Sequence, residues 1–300
     1  MPLFHRETLI KVLIIVALVA IGFMLATRKK PDAPTAEPLP EPAVSDAQVA
    51  QWKSVIDANA LPAIKIRLSG KKASSPIASK VGGRPYWTAD LEYPVGSDGQ
   101  PLHLLAQINF AEISAGLDTL PETGLLQFFI ASEDLYGSDF SKPDPTSEKK
   151  RNYAVVFHAQ PDTTQHVDGT GPDPHNDDDL LPMRGESTMT FERSDSRPSP
   201  HDCRFETLLP GVRMMEASEP LYDYAADGYG HQLGGYATFT QTDPREGDGD
   251  DWQLLFQIDS ETVGELDMMW GDVGIANFFI LPDDLARGDF SRVWYNWDCS

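Results

Sequence analysis

Residues Pro101 to Ser141, PLHLLAQINFAEISAGLDTLPETGLLQFFIASEDLYGSDFS, align without a gap on Asp251 to Ser291, DWQLLFQIDSETVGELDMMWGDVGIANFFILPDDLARGDFS, at a constant offset of 150. Thirteen of the 41 positions are identical, where average composition gives about two or three. The chain therefore carries an internal duplication, and its repeating unit decides the fold. Matches fall where structure needs them: Leu104, Leu105, Gln107 and Ile108 on Leu254, Leu255, Gln257 and Ile258; Gly124 and Phe128 to Ile130 on Gly274 and Phe278 to Ile280.

Working outward, Gly82-Gly83 and Gly234-Gly235 precede the two LLxQI runs, and the apolar runs YAVVFH and RVWYNW follow the two units. The runs are short and bounded by Gly, Pro and Asp, which favours strands over helices. Neither unit has enough apolar runs to cover a sheet alone, so the two share one core. The copies lie near 80–158 and 232–298. Between them, residues 160–230 are rich in Pro and Asp and read as a polar insertion, a solvated excursion with little core. Ahead of the first copy, Ser45 caps a predicted helix to about Asn59, with Val49, Trp52 and Ile56 as its apolar stripe. Ile64, Ile66 and Leu68 then alternate with Lys65 and Arg67 as in a strand.

The amino-terminal segment has a different character. From Val12 to Ala26 every residue is apolar or Gly, and the 19 residues Leu9 to Thr27 would span about 28 Å as a helix, the thickness of a bilayer core. Arg28-Lys29-Lys30 and the poor small-residue site before them disfavour signal cleavage. Residues 1–30 thus read as a single-pass membrane anchor and 31–44, with Pro at 31, 34, 38, 40 and 42, as a stalk reaching about 40 Å. Flanking charges nearly balance, and the stalk tilts the expectation toward an extracytoplasmic soluble part. The expected fold class is α+β: a strand-rich internal duplication with pseudo-two-fold symmetry, preceded by one transmembrane helix, with the domain spanning 45–300.

Charge narrows the partners. The first 30 residues hold five of the 24 Lys and Arg but one of the 46 Asp and Glu, leaving 19 against 45 and a net −26 in the remainder. Such a field repels nucleic acid and attracts a basic protein. Cys203 and Cys299 are too few and too far apart for a zinc site or a disulfide scaffold, and read either as two unpaired thiols or as one bond formed in an oxidising compartment.

The runs SKVGGRPYW, HQLGGY, LPETGLLQFFI, LLFQIDSE and MMWGDVGIANFFILPDDL resemble the YwqG-like bacterial family, a domain of unknown function, over roughly residues 62–297. The resemblance implies an α+β fold with an internal duplication and no established reaction. The association of members with toxin systems implies an immunity-like role. The anchor and stalk depart from the family's usual pattern.

Candidate site residues follow from the repeat. Gln107 and Gln257 occupy matched positions within apolar strands, where an amide must find partners. They either bond across a structural seam or meet along the pseudo-dyad and hold a polar ligand. Asp259 stands where the first copy has Asn109, and Asp272, in WGD, where it has Glu122; both suit turn capping or one shared site. Trp270, with Met268 and Met269, reads as core or as an aromatic wall. His231, beside Gln232 and the glycine pair, has no carboxylate fixed to it by sequence. His201-Asp202-Cys203 is not a nucleophile cluster, because neighbours in sequence rarely face each other. The acidic runs at 175–179 and 243–251 lack calcium-loop spacing, and hydrolase, nucleotide and zinc motifs are absent. No metal and no cofactor is expected. The reading is a non-catalytic binding or interaction protein with a basic partner; the alternatives are an enzyme with a site between the two units and a structural envelope protein.

Overall fold

A computed structural model describes residues 44–114, 116–143, 151–174, 180–212, 219–225, 228–247 and 251–300. The apolar run Leu9 to Thr27 and the stalk lie outside these residues. Among the described residues no helix is long and apolar enough to cross a membrane.

Ser45 caps helix α1 (Asp46–Ala58), its hydroxyl accepting from the Gln48 amide at 3.3 Å. Trp52 and Ile56 pack against Phe205, Leu209 and Leu221, so α1 is held by the helical pieces α2 (Phe205–Leu208) and α3 (Glu219–Ala225). The alternation at 64–68 becomes β1 (Leu61–Leu68). The first copy supplies β2 (Lys80–Gly82), β3 (His103–Asn109), β4 (Leu125–Ile130) and β5 (Tyr153–His158). Residues between the copies give β6 (Met183–Arg184) and the long β7 (Glu186–Ser196). The second copy gives β8 (His231–Gly234), β9 (Gln253–Asp259), β10 (Glu261–Val263), β11 (Leu266–Met268), β12 (Ile275–Ile280), helix α4 (Pro282–Ala286) and β13 (Trp294–Asp298).

These strands correct the expected fold class. Instead of an α+β pairing of two units, the described chain is strand-dominated and forms one nearly closed, barrel-like sheet of ten antiparallel strands, in the order β13-β12-β9-β8-β1-β7-β2-β3-β4-β5. A small second sheet runs β10-β11-β6. Among the described residues the helices are too short to form a layer of their own; the longest of these has 13 residues. The helical share of the expectation came from the family resemblance, whereas within the repeat the apolar runs themselves read as strands.

The strand order reads the same from either end, with β2, β3, β4 and β5 matched by β8, β9, β12 and β13 about an axis between β1 and β7. The leading strands are exchanged. β1 precedes the first copy in the chain yet pairs with β8 of the second, while β7 precedes the second copy yet pairs with β2 of the first. The insertion is therefore not merely a solvated excursion, since β7 holds a central place in the sheet.

Curling brings the halves' inner faces together. Phe128 lies 4.7 Å, ring to ring, from both Phe256 and Phe278, and Phe278 stacks on Tyr295. Each fully buried aromatic of this kind contributes about 1.5–3 kcal/mol. The edges β5 and β13 are bridged by side chains: the Tyr153 hydroxyl donates to the Val293 carbonyl at 3.0 Å and its ring meets Tyr295.

Candidate functional site

Each glycine pair turns the chain at the end of a short strand. Gly82, Gly83, Gly234 and Gly235 all have φ between 66° and 75°, left-handed backbone that favours glycine. The segment beyond the corner folds over the outer face of the sheet, where the paired amides hold it. In the first copy Gln107 Oε1 accepts from the Tyr86 amide at 3.1 Å, and its Nε2 donates to the carbonyls of Pro76 and Ala78. Gln127, opposite it on β4, donates to the Tyr86 carbonyl. The second copy repeats this: Gln257 Oε1 accepts from the Thr238 amide, Nε2 donates to Gly228 and Gly230, and Asn277 donates to the Thr238 carbonyl. The two glutamines thus do not meet along the dyad. Each fastens its own corner, with every amide atom used.

The other sequence candidates are structural or remote. Asp259 accepts from the Gly230 and Ser260 amides. Buried His231 bonds Glu261 at 2.7 Å and accepts from the Asp259 amide; the hydroxyl of Ser79 accepts from the amide of Asn109 in the same way in the first copy. Trp270 is core, beside Tyr136, Tyr295 and Trp297. Asp272 is exposed on a turn. Of the six, His231 and Asp259 touch.

The 201–203 region resolves into a buried ion network. Asp202, Cys203 and Asp243 present ligand-type atoms within 4.8 Å of one another, but Arg245 lies among them. Its guanidinium donates to both carboxylates and to the Trp252 carbonyl, and Arg204 grips Asp202 from outside. Every oxygen of the two carboxylates accepts at least one of these guanidinium or backbone donors, so the trio suits an arginine rather than a metal ion. Burial works to raise the Asp202 pKa, yet the two guanidinium groups prevail and hold it at about 2. Burial pushes the Cys203 thiol up to about 12, which leaves it unreactive. Both cysteines are free thiols.

The residues that do converge were missed by sequence. A polar cavity of about 680 Å³ opens at the first copy's corner, lined among others by Lys80, Gly83, Arg84, His166 and Glu186. Alternation along β2 sends Val81 to the core and Lys80 outward, under the loops 71–78 and 163–174. Lys80 is 5% exposed, and its ammonium lies 3.6 Å from Glu186 Oε2. Burial lowers the Lys80 pKa, with Glu186 opposing. The other polar groups are anchored in the wall. Glu186 Oε1 accepts from the Ala73 amide at 2.6 Å, Arg84 donates to the carbonyls of Gly169, Gly171 and Pro172, and His166 lies between Trp87 and Asp168.

The second copy builds the equivalent corner from uncharged side chains. Gln232 replaces Lys80 and accepts from Lys65 at 2.9 Å, while Tyr236 replaces Arg84 and bonds the Asn59 carbonyl. The signal was present in the sequence: within SKVGGRPYW, counted from the glycine pairs, Lys80 and Arg84 are charged where the second copy has Gln232 and Tyr236.

No curated protein matches the chain. A family model matches residues 79–299, a span that holds both copies and both corners. The chain belongs to the family described as Domain of unknown function (DUF1963).

Proposed function

We propose that this family member is a binding module, non-catalytic in its main role, whose first copy holds a small polar ligand with an anionic group against Lys80. The observation that carries this reading is a buried ammonium that, among the described residues, has its carboxylate partner Glu186 at 3.6 Å and faces a cavity of about 680 Å³. An anionic ligand group gains most where solvent is excluded. The motif SKVGGRPYW, which contains Lys80 and Arg84, also supports a YwqG-like placement within the family, and the net −26 after residue 30 supports a basic protein as a second kind of partner.

Calorimetric titration of the protein with phosphate, acetate, succinate and glutamate tests the cavity. Saturable binding of at least one, weakened tenfold or more by Lys80→Met and tightened by Glu186→Gln, is expected. Absence of binding across the set, or equal binding by Lys80→Met, overturns the reading. A second reading is favoured by the lowered Lys80 pKa, since an amine that loses its proton more readily attacks carbonyl carbon. A covalent adduct at Lys80 after borohydride reduction in the presence of a keto acid would establish it in place of the first.

A further inference from the structure

The repeat offers an internal control for exposure. The motif Asp-Leu followed by Asp-Phe-Ser occurs in both copies, at 134–141 and 284–291. In the second copy it is satisfied within the molecule: Leu285 and Phe290 are 6% and 5% exposed, and Asp284 is fully buried between Arg287 and Arg292. In the first copy Leu135 and Phe140 are each 45% exposed. Asp134 is exposed too, and among the described residues it makes no hydrogen bond or ion pair; Gly137 and Lys142 stand where the second copy has its arginines.

Backbone conformation adds a second, independent observation. Among the described residues three non-glycine residues have positive φ: Tyr136 at 52°, Phe140 at 54° and Val273 at 64°. Two of them border Trp297, whose ring lies 5.0 Å from Tyr136 and 5.9 Å from Phe140 and whose indole donates to the Leu135 carbonyl; the third, Val273, follows two residues after Gly271, which Trp297 approaches. Val273 is 59% exposed. Left-handed backbone at a β-branched or bulky residue is strained, and such strain clusters at active sites, ligand clamps and switch regions. Of the strained residues, Phe140 and Val273 expose apolar side chains and each follows an acid, Asp139 and Asp272; exposed Leu135, just before strained Tyr136, follows Asp134.

We infer that this end of the molecule docks an arginine-bearing apolar segment of a partner protein. The partner supplies to the first copy what the second copy finds in itself, a guanidinium for Asp134 and an apolar cover for Leu135 and Phe140. An apolar centre with an acidic rim selects a cationic, amphipathic segment by charge as well as by contact. The surface rests on the binding-module reading for its purpose, but it shares no residue with the cavity at Lys80.

Fluorescence anisotropy with labelled 14-residue amphipathic peptides, leucine on one face and arginine, lysine or glutamate on the other, tests the surface on the full chain. The arginine peptide is expected to bind saturably, the lysine peptide more weakly and the glutamate peptide not at all. Asp134→Asn and Phe140→Ser should each weaken binding fivefold or more with an unchanged melting temperature. Lys80→Met, the variant expected to weaken cavity binding, should leave peptide binding unchanged. Control Asp251→Asn removes an equal charge from an exposed site elsewhere. Equal weakening by Asp251→Asn would reduce the effect to net charge and overturn the proposal. So would unchanged binding by Asp134→Asn and Phe140→Ser, or concentration-dependent self-association abolished by Phe140→Ser, which would make the occupant a second copy of this chain.

Discussion

His158 and Asp298 occupy the same place in the two copies, opposite Leu125 and Ile275 on the neighbouring strands, and burial moves their pKa values in opposite directions along the pH scale. Burial raises Asp298 to about 6, against the two backbone amides of Thr240 and Gln241 that bond it. Its folded pKa exceeds the unfolded value of 3.8, so the fold binds this proton more tightly and loses stability as pH rises from about 4 to 6. At neutral pH the buried charge costs roughly 2–3 kcal/mol at 1.36 kcal/mol per unit. Asp298→Asn should therefore melt several degrees higher than wild type at pH 7.5, with the difference gone at pH 4 in parallel thermal scans. His158 is lowered, by burial, with Asp90 opposing; its share of stability is lost as pH falls below 6.5, and His158→Gln should soften the acid limb of the same profile. The glycine pair gives a second test. A Cβ at Gly82 would run into the Gly185 carbonyl oxygen, whereas one at Gly83 meets the end of the Glu186 side chain. Gly82→Ala should thus cost more in urea unfolding than Gly83→Ala, by about 1–3 kcal/mol, while Gly83→Ala, by displacing Glu186, should alter ligand affinity.

Between strands and corners, the paired amides carry the argument. Gln257→Leu would leave two carbonyls and one amide buried without partners, at about 1–3 kcal/mol for each group. The expected result is a loss of 3 kcal/mol or more in denaturant titration with no change in affinity at the Lys80 cavity, as befits a fastening. The sequence made these glutamines visible, because the LLxQI match is gapless. It could not tell which face they take. A β-bulge between Leu104 and Ala106, matched by one where β9 meets β12, places Leu105 with Ala106, and Leu255 with Phe256, in the same core. Strict alternation fails at the residues just before the glutamine, so period two could have aimed it inward or outward. β7 was hidden for another reason. Its Glu186, Thr188, Thr190 and Glu192 alternate with only one buried apolar residue, Met189, and its flanks are polar, so hydrophobicity gave no strand signal at the centre of the sheet.

For the whole molecule, the exchange of leading strands governs how it comes apart. Neither half owns the strand beside its glycine corner, and both contribute rings to one core. Polypeptides covering 44–174 and 180–300 should each lack cooperative unfolding when alone, and should regain it when mixed in equal amounts, as read by near-ultraviolet circular dichroism. Independent folding of either piece would contradict the exchanged pairing. A half-length chain of this design could complete its sheet only with a second copy of itself, so the present topology is that of a strand-swapped dimer written as a single polypeptide. Fusion of that kind frees the two members from identity. One corner could take the uncharged Gln232 and Tyr236 while its twin kept Lys80 and Arg84, and one Asp-Leu turn could remain exposed while the other was buried, on a frame whose symmetry would otherwise have forced both ends to change together.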